Sequence, residues 1–239
     1  MKKKFLSSIL FVAFVSSACG EASNDVLAKI QADDLAIEFA QLDDGTVVVS
    51  EVGPSETSSV LAYLAGEHAT PLEMFIALSP NGDVPIELED HHRMVTSEPP
   101  RSLSVPDSSF RSFSGSVGAA SCTVASDDDW FDDLIASTGW TYQWYWSSTL
   151  GHTPSWKDSA SKTTANLITH VCNYSESGGS AGIDHKVIHS STVQYSLTGI
   201  DPGERSVIYV LSDNRTWTAE VEGPGYPQSN VVRFGMIAP

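Results

Sequence analysis

The chain has 239 residues, 41% of them hydrophobic, enough to bury a real core in one or two ordinary domains. It carries 13 Lys and Arg against 30 Asp and Glu, a formal net charge of −17. That balance argues against nucleic acid and anionic lipid surfaces as partners, since both would be repelled, and leaves cations, neutral glycans and basic proteins; a glycan or a cell-surface protein is the expected partner.

The chain opens Met1-Lys2-Lys3-Lys4, runs apolar from Phe5 to Val15 and reaches Ser16-Ser17-Ala18-Cys19-Gly20. A basic start, a short apolar run and small residues make residues 1–20 a secretory signal, too short to span a bilayer. Its end resembles a bacterial lipoprotein signal, in which the cysteine after a small residue is lipidated. Ala18 and Cys19 fit that pattern, whereas Ser16 stands where Leu, Val or Ile is usual. The resemblance implies export, lipidation at Cys19 and tethering to the cell envelope. An ordinary signal-peptidase cut near Ala18 or Gly20, giving a secreted protein, is the rival. In an oxidising compartment Cys122 and Cys172 are expected to form a disulfide rather than free or metal-binding thiols.

Residues 25–95 read as a small α+β unit. Asp25 to Ala32 has weak helical spacing, and two β-prone runs flanking Asp43-Asp44-Gly45 predict a hairpin. Ser58 to Glu67 reads as a helix. Thr70-Pro71-Leu72-Glu73 predicts another, with Thr70 as cap, Pro71 in the first turn and Glu73 completing a capping box. A third helix is expected over about Pro85 to Met94, with His91 and His92 as a solvated pair. The serine- and proline-rich segment 96–118 reads as a linker.

Residues 119–239 read as a β-rich domain. Ser126 with Asp127, Asp128 and Asp129 starts its one helix, where the acids suit the helix dipole better than they suit a calcium loop. Trp140-Thr141-Tyr142-Gln143-Trp144-Tyr145-Trp146-Ser147 follows as an aromatic strand around which the domain is expected to be organised. Further strands are expected at 165–174, 185–189, 192–197, 207–211, 216–221 and 231–236. Turns are expected at Ser177-Gly178-Gly179, at 199–203, at Asp213-Asn214 and at Gly223-Pro224-Gly225. Many short strands with turns between them predict a mainly β fold, an antiparallel sandwich or barrel with one helix.

Two sets of residues are candidates for chemistry. Trp156 and His152, in a predicted loop, with Tyr145 and Gln143 on the outer face of the aromatic strand, form a stacking and hydrogen-bonding surface suited to a glycan. His170, His185 and His189 lie on neighbouring predicted strands and are the candidate metal ligands. The cofactor is left open, and no Gly-x-Ser-x-Gly elbow is present. The expected function is therefore an exported, envelope-associated lipoprotein with a non-catalytic ligand-binding β domain, glycan being the favoured ligand. The rival is a secreted, metal-assisted hydrolase using those histidines.

Overall fold

The computed structural model describes residues 24–32, 34–57, 59–105, 122, 142–150, 155–174, 182–224 and 230–238, excepting the side chains of 142–150, 155–158, 174, 224, 230 and 231. These residues form strands β1 (Asp25–Ala32), β2 (Leu35–Gln41), β3 (Val47–Pro54), β4 (Tyr142–Leu150), β5 (Ser155–Tyr174), β6 (Ile183–His189), β7 (Thr192–Ile200), β8 (Glu204–Pro224) and β9 (Asn230–Ala238). Helices α1 (Val60–Gly66), α2 (Pro71–Leu78) and α3 (Ile86–Val95) lie between β3 and β4. All pairings are antiparallel, in the order β1-β2-β3-β8-β5-β9-β4, and the β6–β7 hairpin joins β8 as well. The architecture is mainly β and sandwich-like, and the sheet does not close into a barrel.

Period-two alternation gives the central strands two buried faces. Ile37, Phe39, Val47, Val49, Ile168, Val207, Tyr209 and Ile237 face one way and pack under Leu61, Leu64, Met74, Phe75 and Leu88 of the helices. Ala40, Val48, Leu167, Val171, Ile208, Val210 and Phe234 face the other way, against Ile183, Val187, Tyr195 and Ile200 of the hairpin and Trp217, Ala219 and Val221 of distal β8. The helices thus form one outer layer. The hairpin and the far half of β8 form the other, as in sheet-on-sheet packing.

The two long strands carry the chain between these layers, and the crossing point is irregular. Pairing of β5 with β8 runs from Cys172↔Arg205 to Asn166↔Leu211 and resumes at Thr164↔Arg215. Three residues of β8, Ser212 to Asn214, therefore stand opposite Ala165 alone, which makes a bulge and a bend. Asp213-Asn214 had the composition of a turn, but the strand continues through it. Arg215 holds the bend by pairing with both Asp213 and Asp44.

Other expectations are corrected by long-range pairing. Asp25 to Ala32 is a strand, because its partner β2 buries Ala28 and Ile30 on one side while Lys29 reaches Glu38 at 2.6 Å. The aromatic stretch is a strand over Tyr142–Leu150, but it ends the described strand order beside β9, and the centre of the sheet is β8 and β5. Residues 25–95 and the β-rich 119–239 segment share one sheet, since β3 pairs with β8 from Val47↔Leu211 to Pro54↔Glu204. The start of the expected linker is packed: Leu103 and Val105 lie on the helix-side core, and Arg101 pairs with Glu73 at 3.0 Å. The helix expected after Ser126 and the Ser177-Gly178-Gly179 turn lie outside the described residues.

Local signals held where they were self-contained. Thr70 and Glu73 form the reciprocal capping box, and Asp44-Gly45 turns the β2–β3 hairpin with Gly45 at φ +86°.

Candidate functional site

The β5–β8 bulge opens a cavity of about 600 Å³ between the sheet and the end of α3, lined by Asp44, Thr46, His91, Met94, Asn166, Ser212, Asp213 and Arg215 among others. A second cavity of about 330 Å³ shares Val95, Asn166 and Leu211 with it and extends towards Glu73, His92 and Arg101. The larger one has the volume of a small-molecule site.

Each wall follows from local chemistry. Thr164 Oγ1 donates to the Asn166 carbonyl and accepts from the Asn166 backbone N–H at 3.2 Å, which pins the bulge. On α3, Leu88, His91 and His92 are buried while Glu87, Glu89 and Arg93 are not, so the helix docks by that stripe. The expected solvated histidine pair is thus buried, His91 being 1% and His92 4% exposed. Adjacent residues of a helix diverge, and here the two rings serve different partners. His92 bridges Thr70 Oγ1 and the Glu98 carbonyl, while His91 Nε2 reaches the Leu211 carbonyl at 2.9 Å.

Electrostatics set the character of the cavity. A carbonyl only accepts, so His91 Nε2 carries the hydrogen and Nδ1 of the neutral ring presents a lone pair. Burial favours that neutral ring, lowering the His91 pKa although the Leu211 carbonyl pulls the other way. Neither His91 Nδ1 nor Asn166 Oδ1 has a hydrogen-bond partner, and both atoms are buried. Burial pushes the Asp44 carboxyl up, but hydrogen bonds from Thr46 and Arg215 outweigh it and hold Asp44 below the usual carboxylate value. Arg215 also lies over the Trp217 ring, 5.7 Å from its centroid. The residues that line the cavity therefore include two with uncommitted buried acceptors, His91 and Asn166, together with two carboxylates and one guanidinium.

The expected glycan-contacting residues fall elsewhere. Gln143 and Tyr145 lie on β4, paired with Ile237 and Gly235 of β9. Trp156 lies on β5 opposite Gly223 rather than in a loop, because β5 begins at Ser155. His152 and Cys19 lie outside the described residues, as does the Asp127 to Asp129 cluster.

The three candidate metal ligands are not gathered on one ion. Thr169 and His170 are neighbours on β5 and so point to opposite faces, and His185 belongs with Thr169. Its ring nitrogens meet Thr169 Oγ1 at 2.5 Å and Ser206 Oγ at 2.9 Å, and burial lowers its pKa to about 3. His189 Nδ1 donates to the Thr216 carbonyl at 2.9 Å while its ring rests on Trp217. His170 sits on the helix side of the sheet with the Cys122–Cys172 disulfide, its Nε2 3.7 Å from Cys172 Sγ and 4.0 Å from Cys122 Sγ. Burial, then the nearby Arg205 charge, keeps the His170 pKa well below the usual histidine value.

Beside His170 the sheet carries a fully buried ion pair, Glu51 with Arg205. Glu51 Oε2 also accepts from the Leu61 N–H at 2.5 Å and from Ser59 Oγ at 3.1 Å, which fixes the start of α1. Arg205 Nε donates to the Thr57 carbonyl at 2.7 Å. Sequence reasoning missed His91, Asn166, Asp44 and Arg215 as a group. They come from α3, β5, the β2–β3 turn and β8, and no spacing in the sequence announces their meeting.

No helix among the described residues is long and apolar enough to cross a membrane. No protein-family model matches the chain, and no curated protein matches it.

Proposed function

We propose that this is an exported protein, lipid-anchored to the bacterial envelope through Cys19, that binds a small polyhydroxylated ligand without transforming it, a saccharide being the favoured class. The observation that carries the reading is the pair of buried acceptors, His91 Nδ1 and Asn166 Oδ1, on two residues that line one cavity. A buried acceptor without a donor costs about 1–3 kcal/mol, so a ligand bringing hydroxyl donors recovers that cost on binding. Sugar hydroxyls donate to these atoms and to the Asp44 and Asp213 carboxylates, while Arg215 donates to sugar oxygens.

Binding is favoured over hydrolysis because the reactive groups in the cavity are committed. Asp44 and Asp213 both pair with Arg215, and Ser212 Oγ donates to the Asp213 carbonyl and accepts from Trp217 Nε1. Tyr145, Gln143, Trp156 and His152 remain proposed glycan contacts outside this cavity, and a cell-surface protein is the other proposed partner.

Two experiments test the parts separately. Metabolic labelling with a fatty acid labels the wild-type protein and leaves Cys19→Ser unlabelled; equal labelling of both contradicts the anchor. Equilibrium titration with neutral mono- and oligosaccharides gives saturable binding without product formation. Release of reducing ends would replace this reading with the hydrolase.

A further inference from the structure

We propose that reduction of the Cys122–Cys172 disulfide turns its buried corner of the sheet into a binding site for one thiophilic d¹⁰ cation, Zn(II) or Cu(I), held by Cys122 Sγ, Cys172 Sγ and His170 Nε2. Among the described residues, these are the three His, Cys or carboxylate groups whose ligand atoms lie within 4.8 Å of one another. The geometry is nearly that of a metal site already. With bonds of about 2.3 Å to sulfur and about 2.0 Å to nitrogen, tetrahedral or trigonal ligands stand roughly 3.5–4.0 Å apart. His170 Nε2 is 3.7 Å from one sulfur and 4.0 Å from the other. The two sulfurs have to separate, which rotation of the two cysteine side chains on Cα atoms 5.9 Å apart is to supply.

Position along the strand brings the ligands together. His170 and Cys172 are two residues apart on β5 and so share a face, and the Cys122 N–H is fastened to the Ser55 carbonyl at 2.8 Å. Charge favours the same occupant. Two thiolates and a neutral imidazole around Zn(II) sum to zero, beside the already neutral Glu51–Arg205 pair. Soft thiolate donors select Zn(II) and Cu(I) over the harder cations.

The chemistry balances with a dithiol reductant, which supplies two electrons and two protons and becomes a disulfide itself. The S–S bond breaks to two thiols, and metal entry releases their two protons to solvent.

The test uses the full chain carrying Cys19→Ser, so that the pair supplies the protein's only thiols, with Co(II) as spectroscopic probe and Zn(II) and Cu(I) in competition. The reduced protein is expected to take up one equivalent with a thiolate-to-cobalt charge-transfer band, and the oxidised protein none. His170→Ala is expected to weaken uptake at least about tenfold. If reduction loosens the fold, metal addition is expected to restore the near-ultraviolet circular dichroism. No thiolate-bound metal in the reduced protein, equal uptake by the oxidised form, unchanged affinity in His170→Ala, or a fold that metal does not restore would each overturn the proposal.

Discussion

His91 Nε2 lies 2.9 Å from the Leu211 carbonyl oxygen, and this bond decides which ring nitrogen keeps a free lone pair. Because Leu211 is the last residue of β8 paired with β5 before the bulge, the strand that makes the cavity also orients the ring at its wall.

Substitution at this position should separate orientation from bulk. His91→Gln keeps a donor for Leu211 and an acceptor for the ligand, and is expected to retain saccharide affinity. His91→Phe keeps the volume and loses both, and is expected to weaken binding about two- to tenfold, the value of one neutral hydrogen bond. Titration calorimetry of the two variants checks this, and equal affinities would remove His91 from the site.

The Glu51–Arg205 pair is fully buried, so removing one partner leaves the other charge uncompensated. Glu51→Gln is expected to destabilise the fold by roughly 3–5 kcal/mol in urea unfolding. Removing both charges together, in Glu51→Leu with Arg205→Met, is expected to cost clearly less than the two single changes summed. Additive losses would show that the pair is uncoupled.

Thr70 serves two elements through one hydroxyl. It accepts from the Glu73 N–H to cap α2 and bonds His92 Nδ1 of α3 at 2.8 Å. Thr70→Val is expected to cost about 2–4 kcal/mol, combining a lost cap with a buried ring nitrogen left without its partner. Thr70→Ser should be close to neutral. Thermal unfolding measures both, and a tolerated valine would contradict the role assigned to the hydroxyl.

These cases also show what was legible before folding. The Thr70–Glu73 capping box and the Asp44-Gly45 turn are complete within a few residues, so composition suffices to find them. The strand nature of Asp25–Ala32 is not, since Val26, Leu27 and Ile30 have helical spacing, and only the pairing with β2 selects the Ala28 and Ile30 face. For β8, Val207 and Tyr209 belong to the helix-side core while Trp217, Ala219 and Val221 belong to the opposite one, so the two halves read as separate strands. The turn-like Asp213-Asn214 obscured their continuity, although the ion pairs of Arg215 are what make a bulge stable there. Burial of His91 depends on α3 docking beside residue 211, 120 positions away, and nothing local encodes that.

Acid should destabilise this protein through its buried histidines. The His185 pKa is lowered from 6.5 to about 3 by burial, and the His170 and His91 values are lowered as well. The neutral rings are favoured in the folded state, so below 6.5 the unfolded chain binds more protons than the native one. The stability His185 contributes is complete above the ordinary histidine value and is lost as pH falls towards about 3, at up to about 1.4 kcal/mol per pH unit, and His170 and His91 act in the same direction. Urea midpoints across that window should fall in the wild type and fall less steeply in His185→Gln. Parallel profiles would mean that His185 does not titrate on unfolding.

The imidazole nitrogen resonances of His91, followed by long-range ¹H–¹⁵N correlation while neutral saccharides are added, test the binding site most directly. A saturable shift at His91 Nδ1, with Nε2 still carrying its hydrogen, is the result expected if a sugar hydroxyl donates into the cavity. Saccharide binding that leaves Nδ1 unmoved and perturbs only β4 would place the site on the aromatic strand and contradict the cavity.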